Sequence, residues 1–450
     1  MTPVPPQVPT LPRACPICRR EPGPRPLLLA QALPPEVRAL AAANTPWWSP
    51  EQELCGDCAQ RFAAAHEYLR HQAPGFEPGA ILPTPLRLGA PDEYRGRGVT
   101  IAFLDSGFYA HPDLVEPEDR IVRYVDVTNP RARRSDLRTG DASSWHGMMT
   151  SVVACGNGRL SGGLYRGIAS EARVVLVKCG TMRRIRHDDI RRGLDWVVRH
   201  REQYGIRVVN VSCGGDYEAS YLHDRLSQAA ERATREGMLV VAAVGNLGQA
   251  PGHPVLPPAS APSALTVGGL DDRNRLAFGG YGMYHSSFGP TVDGLQKPEV
   301  IAPGIWVAAP ILPGTPTAAQ AELLARLDGV ADDELRAAIA DSPGVDSELD
   351  TALGADPALL RQLVAIKLER NNLISGAYKH VDGTSFASPI VASLAAQMLE
   401  ANPGLSPGEI KRLLVATARP IADVDSARQG SGVVDAAAAV RAAEDARHQT

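Results

Sequence analysis

The chain has 450 residues, 44% of them hydrophobic, with 46 Lys+Arg against 50 Asp+Glu and a formal net charge of −4. That length exceeds one ordinary domain, and the apolar fraction supports a substantial core. The near-balanced charge argues against a chain-wide polyanion-binding role, and no run approaches the roughly 20 apolar residues needed to span a bilayer.

The first chemistry-bearing motif is a pair of Cys-x-x-Cys knuckles, Cys15-Pro-Ile-Cys18 and Cys55-Gly-Asp-Cys58. Four thiolates in this spacing suit a tetrahedral zinc ion, while disulfides and a redox Cys-x-x-Cys remain the alternatives. A loop or small helix around Pro35-Glu-Val-Arg-Ala-Leu-Ala-Ala is expected between the knuckles, and a helix from Ala59 to Arg70 whose first turn carries the last ligand. Residues 1–72 hold seven Lys/Arg and six Asp/Glu, which offers phosphates little attraction. A fold-stabilising or partner-docking module is therefore expected, with no nucleic acid.

The opening Met1-Thr-Pro-Val-Pro-Pro is unlike a signal peptide. Cys155, Cys179 and Cys213 fall in apolar segments and read as buried free thiols. Together with the thiolates of the knuckles they point to a reducing, cytoplasmic setting. Residues 73–93, rich in Pro and Gly, read as a linker. Within it, Ile81-Leu-Pro-Thr-Pro85 is a proline-stiffened spacer or, alternatively, a tethered segment lying across an active cleft.

From Val99 the pattern changes. Strand-like apolar runs at 99–105, 173–178, 207–212, 239–244 and 264–268 alternate with helical stretches at 187–203, 220–236 and 386–401. That alternation predicts an α/β fold of three layers with a mainly parallel sheet. Val99-Thr-Ile-Ala-Phe-Leu-Asp105 ends on an aspartate, and His146 stands at the start of an apolar helical segment. Val240-Val-Ala-Ala-Val-Gly245-Asn246 empties onto an asparagine. Gly383-Thr384-Ser385 leads into an Ala-rich helix whose N-terminal N–H groups face any oxyanion formed near the serine. All four groups lie at strand ends or helix starts, where an open α/β sheet gathers its ligands. Arg131, Arg133, Arg134 and Arg138, then Arg183, Arg184, Arg186, Arg191 and Arg192, form basic runs that read as solvated faces or as a field steering acidic substrates.

Residues 313–376 stand apart as a helical insertion with 11 acids and five bases. Thr317-Ala-Ala-Gln320 reads as a capping box and Asp356-Pro357 as a second helix start. Leu323, Leu327 and Val330, then Leu360, Val364 and Leu368, repeat at helical spacing. The insertion is expected to be a packed ornament, with a lid or a docking surface as the alternatives.

In this chain order Asp105, His146 and Ser385 resemble the subtilisin-like serine proteases, the subtilase family. Supporting text includes Asp105-Ser-Gly followed by His111-Pro112-Asp113-Leu114, His146-Gly147, Val209-Asn210-Val211-Ser212, Gly245-Asn246, Lys297-Pro298-Glu299 through Pro303-Gly304, and Gly383-Thr384-Ser385. The resemblance implies a peptidase domain over residues 94–445 and a serine endopeptidase acting on protein or peptide substrates. Ser385 would be the nucleophile, His146 the general base and acid, Asp105 its orienting partner, and Asn246 an oxyanion donor. Ser212-Cys213-Gly214 would pair with the substrate backbone as an added strand, and Leu247 would border the first pocket. An apolar or broad preference before the cut follows.

Three departures from the family pattern stand out: Met148-Met149 where members commonly carry Thr-His, the insertion, and no visible folding pro-domain. A catalytically weak fold used as a zinc-dependent adaptor or regulator is the alternative function, with a protein partner at the knuckles or the insertion. Family members often bind Ca²⁺, but Asp113, Asp126 and Asp141 show no ligand spacing that locates such a site.

Overall fold

The computed structural model describes residues 14–20, 27–72, 80–276 and 279–447. They form two compact units, one comprising the N-terminal residues to Gly79 with Arg275–Tyr281, the other Ala80–Asn274 with Gly282 onward. Residues 73–79 of the expected linker lie outside the described residues.

The N-terminal unit pairs strand β1 (Leu28–Leu29) with β2 (Glu53–Leu54) in antiparallel fashion. Helix α1 (Pro35–Asn44) begins on a proline, whose missing N–H is no loss in a first turn. Helix α2 (Gly56–Gln72) carries Cys58 in its first turn. Cys15, Ile17, Ala30, Ala41, Leu54 and Phe62 form the buried interior. Residues 275–281 belong to this unit: the Leu276 N–H donates to Asn44 Oδ1 at 3.1 Å, and the Arg275 guanidinium sits 5.7 Å from the Trp47 ring centre.

The larger unit is built on an eight-stranded sheet. Its strands are β3 (Thr100–Asp105), β4 (Ile121–Asp126), β5 (Arg173–Lys178), β6 (Ile206–Val211), β7 (Leu239–Ala243), β8 (Leu265–Asp271), β9 (Gly282–Met283) and β10 (Val300–Pro303). In space the order is β9-β8-β7-β6-β3-β5-β4, with β10 also paired to β8. Every pairing is parallel except β8 with β9.

Both faces of the sheet are covered, which is why the central strands read as continuous apolar runs. Alternate residues of β3 serve opposite layers. Ile101 and Phe103 pack with helices α3 (Ser144–Cys155), α10 (Thr384–Ala401) and α11 (Ala436–Arg447). Ala102 and Leu104 pack with α4 (His187–Tyr204) and α5 (Arg225–Arg235). A three-layer α/β fold with a mainly parallel central sheet is thus in place, as expected.

Several boundaries moved. The helix expected over 220–236 begins only at Arg225, because Asp224 caps it by accepting from the Ser227 N–H at 2.6 Å. The insertion stands on a hairpin of β11 (Val307–Pro310) and β12 (Tyr378–Val381). Its helices are α6 (Pro316–Asp328), α7 (Leu335–Ala340), α8 (Ser347–Thr351) and α9 (Pro357–Arg370). Thr315, not Thr317, caps α6, with Pro316 at the first helical position, whereas Asp356 caps α9 as its sequence suggests. Leu323, Leu327, Leu360 and Val364 share a separate small core with Leu335, Ile339 and Leu349.

Residues 81–88 are integral to the larger unit. Leu82 N–H donates to Asn274 Oδ1 at 2.8 Å, and buried Arg87 grips Asp272 through two bonds of 2.8 and 2.7 Å. Arg87 also donates to the carbonyl oxygens of Ile305 and Trp306, and the Tyr165 hydroxyl donates to the Ile81 carbonyl at 3.1 Å. A charged side chain buried on a partner acid holds this proline-stiffened stretch in the larger unit.

Candidate active site

Asp105 ends β3 and is only 1% exposed. A buried carboxylate needs donors, and it has them. Ser106 N–H donates to Oδ1 at 2.7 Å, and Thr150 Oγ1 donates to Oδ2 at 3.3 Å. The third partner is the His146 imidazole, with Nδ1 2.7 Å from Asp105 Oδ1. His146 reaches it from the first turn of α3, and this approach depends on Gly147. A Cβ there would lie 2.2 Å from the Gly107 carbonyl oxygen and 2.9 Å from Asp105 Cβ, so no larger residue lets the helix come this close. Burial lowers the imidazole pKa, but the charge and hydrogen bond of Asp105 outweigh it and leave the group above its ordinary 6.5.

Ser385 is set up by backbone geometry. The cap of α10 is Gly383 at φ 141°, in the region that favours glycine, and it leaves the serine hydroxyl unspent. Every residue of α10 is buried except Ser385 and Glu400. The position where a Cβ on Gly383 would stand is 3.1 Å from Ser385 Oγ and 3.7 Å from Asn246 Nδ2, so hydroxyl and amide flank one small space. Asn246 is oriented by Thr384, whose N–H and Oγ1 donate to its Oδ1 at 3.0 and 2.8 Å. That fixes the amide and directs its N–H₂ end away from these bonds.

Ring packing joins the two helices. The His146 and Phe386 centroids are 5.7 Å apart, and Trp145 meets His146 edge-on at 5.2 Å. Among the described residues Ser385 Oγ has no hydrogen bond, an arrangement common before substrate tightens a site.

A network that sequence reasoning missed holds the serine's backbone. Pro389 inside α10 has no N–H to give the Ser385 carbonyl. Ser212 Oγ donates to that carbonyl instead at 2.9 Å, while Asn210 Nδ2 donates to Ser212 Oγ at 2.8 Å and Ser388 Oγ to Asn210 Oδ1 at 2.6 Å. A proline four residues after the serine was the available signal.

Cys213 turns its thiol inward, 3.7 Å from the Leu104 carbonyl, where burial raises its pKa well above 9.0. Any contribution to an added substrate strand would come from its backbone and that of exposed Gly214, which are unpaired among the described residues. Leu247 is 47% exposed beside Asn246, with its N–H donating to Ser287 Oγ at 3.2 Å. Met148 and Met149 are buried, 0% and 5% exposed, and fill the core beneath the site.

With this geometry in view, the sequence model of the subtilase family matches residues 96–437. The chain belongs to the subtilase family. This subtilase is 31% identical over 354 residues to the serine protease AprX of Bacillus subtilis (strain 168), covering 76% of this chain and 66% of AprX. It is 29% identical over 223 residues to the minor extracellular protease Epr of the same organism, spanning 48% of this chain and 28% of Epr. Subtilisin BL of Lederbergia lenta is 26% identical over 352 residues, 77% of this chain and 92% of that protein. Among solved structures, a protease from Pseudoalteromonas arctica PAMC 21717 shares the fold with a TM-score of 0.51 and 22% identity, covering 84% of this chain and 98% of that one.

The four N-terminal cysteines converge. Their sulfurs all lie within 4.8 Å of one another, with Cys15 to Cys58 at 4.0 Å and Cys18 to Cys55 at 3.7 Å. These separations are far beyond a disulfide of about 2.05 Å. They match the roughly 3.8 Å edge of a tetrahedron with metal–sulfur bonds of about 2.3 Å. Among the described residues no other group of three His, Cys, Asp or Glu side chains gathers this way. Asp113 accepts from the Leu160 N–H at 3.1 Å and from the Tyr378 hydroxyl.

Proposed function

We propose that this subtilase is a serine endopeptidase carrying a structural zinc on its N-terminal unit. The observation that carries the reading is the 2.7 Å His146–Asp105 contact, with the half-exposed Ser385 and the oriented Asn246 amide grouped around Gly383. Ser385 Oγ attacks the peptide carbonyl as His146 takes its proton, Asp105 stabilises the imidazolium, and Asn246 Nδ2 with the Ser385 N–H receives the oxyanion. His146 then protonates the leaving amine, and water repeats the sequence on the acyl-enzyme.

The extended residues 212–214 supply backbone groups for the substrate strand, and Leu247 at the rim favours an apolar residue before the cut. Cys15, Cys18, Cys55 and Cys58 would hold the metal as thiolates, which ties the fold of their unit to it. The adaptor reading loses its main support, because Met148 and Met149 fill the core and displace no reacting group. The free thiols at Cys155, Cys179 and Cys213 agree with a reducing cytoplasm. Hydrolysis of a fluorogenic Leu- or Phe-containing peptide, abolished by Ser385→Ala, tests the peptidase; metal analysis of protein purified without chelator tests the zinc.

A further inference from the structure

Strand β4 ends the sheet, and among the described residues no strand pairs with its outer side. Such an edge is a template for another chain. Five consecutive residues, 123–127, line one side of a cavity of about 760 Å³. Helices α4 and α5 complete it, contributing Arg191, Arg192, Arg199 and Arg232 opposite Arg123. The Trp196 ring, stacked on His200 at 4.2 Å, gives the cavity an apolar surface.

The charge there is unbalanced. Only Asp126 and Asp195 bring carboxylates to the lining. Asp195 is already shared by Arg191 at 2.5 Å and by Arg232, and Arg192 is held by Asp189. Arg199 spends its Nε–H on the Asp195 backbone carbonyl at 3.1 Å, and neither Arg199 nor Arg123 forms an ion pair among the described residues. Asp126 Oδ1 accepts from the Thr128 N–H and hydroxyl at 2.8 and 2.6 Å, and the Asp126 carbonyl from the Asn129 N–H, so two guanidinium groups line the cavity without an ion pair beside the remaining edge of β4.

We infer that this cavity binds an extended acidic peptide segment, which adds to β4 as a further strand and sets its carboxylates against Arg123 and Arg199. The four strand residues 123–126 span about 13 Å, long enough for main-chain pairing to give affinity while alternate side chains give selectivity. A small anion would use the guanidinium groups but leave the unpaired strand edge idle. Resting on the peptidase reading, the segment is an acidic stretch of the protein substrate, held apart from the scissile bond.

The test uses full-length Ser385→Ala protein, so binding is read without cleavage and stands whether or not the wild type is a peptidase. A fluorescein-labelled peptide of alternating Glu and Val is titrated by fluorescence anisotropy. Saturable binding is expected that weakens as salt is raised and by about tenfold or more in Arg123→Glu/Arg199→Glu. The same peptide N-methylated at alternate amides should not bind. An unchanged Kd in the double variant overturns the site, and equal binding of the N-methylated peptide overturns strand addition. Single-stranded RNA competing as well as the peptide overturns the choice of ligand. Both arginines are exposed, and an unchanged melting temperature in the double variant separates lost binding from lost folding.

Discussion

The Nδ1 atom of His146 lies 2.7 Å from Asp105 Oδ1, and this contact decides the direction in which the site titrates. In the proposed mechanism His146 works as a base only when neutral, and Asp105 holds its pKa above the ordinary 6.5. The rate should therefore rise with pH through a midpoint above 6.5. In Asp105→Asn the charge is gone while burial remains, so the midpoint moves down and kcat drops by about 10⁴, the size established for the same change in a serine protease triad. A pH–kcat/KM profile of both proteins checks this. The raised pKa also means that protonated His146 favours the folded state. That contribution is full below 6.5 and fades as pH rises through the folded value.

Asn246→Ala removes the amide that Thr384 orients. Turnover should fall by about 10²–10³, or roughly 3–4 kcal/mol, with little change in KM, a magnitude known from a subtilisin itself. Steady-state kinetics on one peptide decide it; an unchanged kcat removes Asn246 from the oxyanion role.

Ser212→Ala leaves the Ser385 carbonyl without its donor, and Pro389 cannot replace it. Leaving this acceptor unsatisfied should cost about 1–3 kcal/mol of folding stability. Chemical denaturation of the variant measures it, and an unaltered midpoint would show that the bond carries no weight.

The zinc reading predicts one metal ion per chain. Cys18→Ser should lower that stoichiometry, and a strong chelator should unfold the N-terminal unit, followed by the fluorescence of Trp47 and Trp48. Stoichiometric absence of zinc from freshly purified protein contradicts it.

Much of this architecture was readable from the sequence because burial on both faces leaves unbroken apolar strands. Val99 to Asp105 and Val240 to Val244 announce themselves in this way, and each ends on a group that matters. Strand β4 escaped notice because it is an edge: Arg123 faces solvent, and the apolar run is interrupted. Helix α10 was legible, and its cap is Gly383, so the Ser385 hydroxyl is not spent on capping. The contacts that tune the site were not legible. Thr150 to Asp105, Thr384 to Asn246 and Ser212 to Ser385 join residues from separate elements, and only the fold brings them together. The same holds for Arg87, whose burial against Asp272 no local pattern signals.

The central claim is that Ser385 is a nucleophile activated by His146. Incubation with a fluorophosphonate followed by peptide mass mapping tests it most directly. The account predicts one adduct on the peptide containing Ser385, formed slowly in His146→Ala and absent in Ser385→Ala. Intact protein that folds, is left unlabelled at Ser385 and cleaves no peptide would contradict it.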